Sequence, residues 1–235
     1  MRLAPLLCSV LLFATPVASA SQAAQAAEAV DVALVLGVDS SSSVSMDEYY
    51  LQLQGYAAAF RHPDLLKAIR SGTHQAIAVV LFEWSGERQQ AVNFAWRRLD
   101  DAASLETFAA ELENGPRLVI GGETAIGNAI DFAMQRFADC PFDGPRRVID
   151  ISGDGASNRG RRVTAARDDA LFQGVTINGL AVLHEEPNLD IYYRQNVVGG
   201  VGAFVISARD YTDFADAILK KLLHEIETVA QVTAR

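Results

Sequence analysis

Val30 to Ser45 reads VDVALVLGVDSSSSVS, and the reading of this stretch decides the fold. Its first ten residues, Val30 to Asp39, are almost all apolar and rich in β-branched side chains, which suits a strand covered on both faces. The run stops on Asp39-Ser40-Ser41-Ser42-Ser43. Ser45 followed by Glu48 has capping-box spacing and opens a helix through about Phe60, which His62-Pro63 breaks. A serine tract held between a buried strand and a capped helix is a strand-to-helix turn, not a linker.

Four further apolar runs have strand length: Ala76 to Phe82, Arg147 to Ser152, Val175 to Val182 and Ala203 to Ser207. Gln90 to Trp96 alternates more and follows the turn-like Ser85-Gly86-Glu87, so it reads as an antiparallel partner of the strand before it, at the sheet edge. Between the strands, helical patterns cover Ser104 to Leu112, Ala125 to Phe137, Val163 to Phe172 and Tyr211 to Val229. In the last of these, Phe214, Ile218, Leu222 and Ile226 make one apolar stripe. The predicted fold class is α/β: a doubly wound, mostly parallel six-stranded sheet with one antiparallel edge strand and helices on both faces. Ligands of such sheets collect beyond the carboxyl ends of the strands, where the strand order reverses.

The 235 residues fit one domain with ample apolar material for a core: half are hydrophobic and 21% charged. Twenty lysines and arginines against 29 acids give a net charge of −9, which argues against a nucleic-acid partner bound through a basic face. Arg2, the apolar stretch Leu3 to Phe13 and the small residues Ala18-Ser19-Ala20 have the pattern of a secretory signal peptide over 1–20. Its apolar run is about half the roughly 20 residues a membrane span needs. No other segment is long and apolar enough to cross a bilayer. Cleavage would remove Arg2 and Cys8, taking the charge to −10 and leaving Cys140 alone, without an internal disulfide partner. Residues 21–29, SQAAQAAEA, read as a flexible tether, and 30–235 as the folded domain. The expected location is periplasmic or extracellular.

Three loops at strand ends or helix starts carry carboxylates and hydroxyls with almost no lysine or histidine among them. These are Asp39 to Ser43, Gly121-Gly122-Glu123-Thr124 and Ser152-Gly153-Asp154-Gly155. Carboxylates gathered without cations repel, and a hard divalent ion is the natural compensation. In these residues the chain resembles the von Willebrand factor A domains, which include the integrin I domains. Their metal-ion-dependent adhesion site combines D-x-S-x-S after the first strand, a later threonine, and an aspartate after the fourth strand. Asp39, Ser41 and Ser43 match the first part, Thr124 the second and Asp154 the third, in order over Val30 to about Val229. The stretches QGYAAAF, RRVIDISGDG and GVTINGL also resemble a bacterial subgroup of exported A-domain proteins with no assigned function.

The resemblance implies a Mg²⁺ or Mn²⁺ cofactor. Ser41 and Ser43 would bind it directly, Thr124 and Asp154 directly or through water, and Asp39 mostly through water while orienting the serines. Neutral hydroxyls leave the ion's charge largely uncancelled, and its partner would be a protein presenting an Asp or Glu carboxylate. A residual unit charge 4 Å from such an anion is worth roughly 4 kcal/mol at an effective dielectric near 20. The implied function is therefore a non-enzymatic, metal-dependent adhesion-type module, with no catalytic residues. One alternative is a metal-dependent phosphohydrolase with Asp39 as nucleophile. Ser41, where such enzymes often carry an acid/base aspartate, and the lack of a well-placed lysine oppose it. Another is a structural domain with a vestigial site.

The remaining features have plainer readings. Thr124 also suits a helix N-cap. Glu83 and Trp84 read as a solvated carboxylate and an indole at the edge of the core, with lining of the site as the alternative, and Arg159, Arg161 and Arg162 as a solvated helix face that could also meet an acidic partner. Glu123 could add charge near the ion or point to solvent. The long stretch His184 to Gly202, with Tyr192-Tyr193 and Gly199-Gly200, departs from the family pattern and could modify the ligand surface.

Overall fold

The computed structural model describes residues 27–232, with side chains described through Glu227. The expected signal peptide lies outside the described residues. In chain order the elements are β1 (Glu28–Ala29), β2 (Val32–Asp39), α1 (Met46–Arg61), α2 (Pro63–Arg70), β3 (Ile77–Trp84), β4 (Gln90–Leu99) and α3 (Ala102–Glu113). There follow α4 (Ile126–Arg136), β5 (Phe142–Asp143), β6 (Arg146–Gly153), α5 (Val163–Phe172), β7 (Val175–Val182), α6 (Leu189–Tyr192), β8 (Val205–Ala208) and α7 (Phe214–Val232). Six strands form one sheet in the order β4-β3-β2-β6-β7-β8, antiparallel only between β3 and β4. The expected fold class is therefore the observed one, including the antiparallel edge strand.

The two-residue strands β1 and β5 pair in parallel away from the main sheet, so the expected tether ends before Glu28. The sequence reading also left out α2. Pro63 does end α1, but it sits at the first turn of a new helix, where its missing N–H costs nothing, and the His62 ring accepts from Asp64 N.

Period-two alternation sends the strand side chains to two cores. Val32, Leu34, Leu36 and Val38 of β2 pack with α1, α2, α3 and α7, and Phe214, Ile218, Leu222 and Ile226 of α7 are all buried there. Val35, Val80, Phe82, Trp84, Ile149 and Ile151 face the other way, onto α4, α5 and the segment around Tyr193. The first face also holds a buried ionic cluster. Lys221 Nζ of α7 lies 2.8 Å from Asp150 of β6 and 2.5 Å from Glu225, and Asn178 Nδ2 donates to Glu225 at 2.9 Å. Burial, opposed by the Lys221 charge, pushes the Asp150 carboxyl up to about 7.

Strand β2 lies between β3 and β6, with Val38 opposite Ser152. This register sets Asp39 beside Gly153 and brings Asp154 one residue beyond, at the carboxyl end of the central strands.

Candidate functional site

Asp39 closes β2 and is fully buried; its Oδ1 accepts from Ser41 N at 2.7 Å, which turns the chain into the serine tract. Ser41 Oγ and Ser43 Oγ are 3.1 Å apart, and Ser43 Oγ donates to Asp154 Oδ1 at 2.7 Å. The second Asp154 oxygen accepts from Tyr211 OH at 3.1 Å. Asp39, Ser41, Ser43 and Asp154 are thus joined by an unbroken chain of contacts.

Thr124 comes to the neighbouring residue of Asp154, Gly155, by another route. Gly121 and Gly122 take φ of +68° and +110°, the left-handed region open to glycine. Their loop docks on the serine tract through Ser42 N to Gly122 O at 3.0 Å and Gly122 N to Ser42 Oγ at 2.9 Å. The Thr124 hydroxyl then faces Gly155, 3.9 Å from where a Cβ there would stand. It is not a helix cap: the N-cap of α4 is Ala125, and Ile126 N donates instead to Ser157 Oγ at 3.2 Å.

The charge balance of this cluster is unusual. Burial, and then the neighbouring Asp154 charge, pushes the Asp39 carboxyl up to about 7. Burial raises Asp154 as well, while the hydrogen bonds from Ser43 and Tyr211 act against the rise. Neither acid forms an ion pair among the described residues, and Asp39 Oδ2 is buried with no hydrogen-bond donor. Two carboxylates and three hydroxyls are the hard oxygen donors that Mg²⁺ or Mn²⁺ takes, so the residues fit such an ion. Among the described residues no group of three or more Asp, Glu, His or Cys side chains is arranged to hold a metal, so an ion here depends on the hydroxyls.

Several side chains around the site depart from the sequence reading. Glu83 is not solvated but fully buried beneath the loop at 116–119. Its carboxylate accepts from Leu118 N at 2.9 Å, Val119 N at 2.6 Å and Tyr49 OH at 2.5 Å, and from Asn93 Nδ2. Trp84 is equally buried and belongs to the core. Arg159, Arg161 and Arg162 precede α5 rather than forming a helix face. Arg159 pairs with Glu123 at 3.2 Å, which holds that acid at the surface, and Arg161 pairs with Asp131 and Asp169.

Arg117 had no signal in the sequence. Its guanidinium donates to Ser40 Oγ and O and to Val44 O, each at 2.9 Å, and lies 5.3 Å from the centre of the Tyr49 ring. It therefore ties the loop before Thr124 to the back of the serine tract. A lone arginine in a loop gives no local pattern from which this could be read.

The fold is that of the von Willebrand factor A domains. The chain belongs to the family described as "Protein of unknown function (DUF1194)", which it matches over residues 29–230. No curated protein sequence matches it. Among solved structures, proximal thread matrix protein 1 from the mussel byssus is 17% identical with a TM-score of 0.60, over 85% of this chain and 48% of that one. A further structure of that protein is described with a zinc-occupied MIDAS motif. A von Willebrand factor type A protein from Catenulispora acidiphila is 15% identical with a TM-score of 0.59, over 86% and 43%. Manganese-loaded TRAP protein of Plasmodium vivax is 15% identical with a TM-score of 0.50, over 82% and 73%. The chain thus spans about half the length of the first two. At these identities the likeness is one of fold.

Proposed function

We propose that Asp39, Ser41, Ser43, Thr124 and Asp154 hold a divalent cation, Mg²⁺ or Mn²⁺, and that the protein is an exported, non-enzymatic binding module. The observation that carries this reading is the pair of buried acids, Asp39 and Asp154, meeting among hydroxyls without an ion pair among the described residues. Zinc and manganese in structures of the same fold support it. The bound cation would offer an open position to an oxygen anion from outside. Of the ligand side chains, Ser43 is exposed while Ser41, Thr124 and the acids are buried, so the site opens to solvent at Ser43. The ligand class is a protein carboxylate, Asp or Glu. The side chains of Met46, Leu118 and Ile120, exposed around the serine tract and its docked loop, provide apolar contact area for a macromolecular partner.

Residues 1–20 act as the export signal and 30–235 as the working domain, in the periplasm or outside the cell. No helix among the described residues is long and apolar enough to cross a membrane.

Titration of Mn²⁺ into the protein and into the Ser41→Ala/Ser43→Ala double variant tests the site: heat from the parent alone supports it, and equal heats contradict it. Capture of a partner from envelope extract, lost with chelator and restored by Mg²⁺, tests the binding role. Turnover of an aryl phosphate with Mg²⁺, abolished in Asp39→Asn, would replace the binding reading with the phosphohydrolase one.

A further inference from the structure

The segment between β7 and β8, singled out above as a departure from the family pattern, reaches the buried side of the candidate site. After α6 the backbone makes a five-residue π turn, Tyr193–Val197, a geometry found disproportionately at functional positions. The turn sets the Tyr193 side chain against Gly153 at the end of β6 and Gly179 of β7, where it is fully buried. Two glycines on adjacent strands clear its path. A Cβ on Gly179 would stand 2.6 Å from Tyr193 Cδ1, and one on Gly153 would stand 2.8 Å from Tyr193 OH.

The same point above Gly153 is also 2.8 Å from Asp39 Oδ2 and 3.3 Å from the Trp84 indole edge. Strand parity explains the convergence. Asp39, Gly153 and Trp84 occupy alternate positions that face the core containing Tyr193. Asp39 Oδ2 is a buried acceptor without a donor, and Tyr193 OH is a buried hydroxyl without a partner. A phenol O–H is a donor and a carboxylate oxygen an acceptor, so the two are chemically matched. Leaving both groups unmatched is costly, whereas matching them satisfies both at once.

We propose that Tyr193 is a positioning residue of the candidate metal site: its hydroxyl donates to Asp39 Oδ2 through one bridging water and fixes the carboxylate's orientation toward the serine tract. This rests on the metal reading above for its purpose, but not for the contact itself. The neighbouring Tyr192 does a different job, its hydroxyl accepting from Ser157 N at 3.3 Å and so holding the loop that follows Asp154.

Tyr193→Phe removes only the hydroxyl and keeps the ring that packs over the two glycines. Calorimetry with Mn²⁺ should show an affinity about tenfold weaker, the usual size of an outer-shell effect. The metal-free thermal midpoint should fall by a few degrees, because Asp39 Oδ2 is left buried without its donor. In chelator, near-ultraviolet tyrosine absorption should shift on Asp39→Asn in the parent but not in the Tyr193→Phe background. Equal Mn²⁺ affinities for parent and Tyr193→Phe overturn the positioning role. An absorption shift that persists without Tyr193 overturns the contact. If the parent itself takes up no Mn²⁺, the metal reading fails and the positioning role with it, while the absorption arm decides the Tyr193–Asp39 contact independently.

Discussion

Asp39→Asn should stabilise the metal-free protein at high pH and abolish the stabilisation that Mn²⁺ gives the parent. Without a cation, the native state holds the Asp39 carboxyl at about 7 against an ordinary 3.8. That difference is about three pH units, or roughly 4 kcal/mol. The sign follows from proton binding. Between the two values the native state binds the proton that the unfolded chain has released, so stability falls as pH rises through this window. The loss is complete above about pH 7. Asparagine does not titrate, its Oδ1 can still accept from Ser41 N, and its amide group places a donor beside the Tyr193 hydroxyl. At pH 8 in chelator, the variant should therefore melt at or above the parent's temperature. With a protein of this size, each kcal/mol moves the midpoint about 2–4 °C. Saturating Mn²⁺, at about a hundredfold over its dissociation constant, should add roughly 2.7 kcal/mol to the parent and nothing to the variant. Scanning calorimetry at pH 5 and pH 8, with and without Mn²⁺, reads all four states. A variant that melts well below the parent in chelator and gains as much as the parent from Mn²⁺ would refute the reasoning.

Other parts of the structure make further predictions. Glu83→Gln turns an amide toward the Leu118 and Val119 N–H groups; losing one such bond to a charged acceptor costs about 1.5–3 kcal/mol, read as a lower urea midpoint. Lys221→Met strands Asp150 and Glu225 in the core and should cost about 3–5 kcal/mol, partly recovered in Lys221→Met/Asp150→Asn, by the same denaturation assay. Gly153→Ala forces a methyl within 2.8 Å of both Asp39 Oδ2 and Tyr193 OH. It should destabilise by about 1–3 kcal/mol and weaken Mn²⁺ uptake, checked by melting and calorimetry.

What could be read in the sequence was what depends on neighbours in the chain. The unbroken apolar run of β2, the Ser45–Glu48 capping box and the four-residue stripe on α7 each carry a local period, and each stands where that period puts it. Asp39, Ser41 and Ser43 are close in sequence, and strand-end position singled out their loop and that of Asp154, which the family resemblance then joined. Misreadings came where partners arrive from elsewhere. Glu83 looked solvated because its backbone donors, Leu118 and Val119, lie more than thirty positions away. Thr124 resembled a cap, but the hydroxyl that accepts from Ile126 N comes from Ser157 on another loop. The place of Tyr193 follows from a π turn and from glycines on two strands, none of which gives a period to read.

The central claim is that a cation sits where the serine tract meets Asp154. Crystals grown with Mn²⁺ and measured for anomalous scattering test it most directly. The account predicts one strong peak bounded by Ser41 Oγ, Ser43 Oγ and Asp154, which disappears in the Ser41→Ala/Ser43→Ala variant. A well-ordered cluster with no peak there, or a peak that survives loss of both serines, would contradict it.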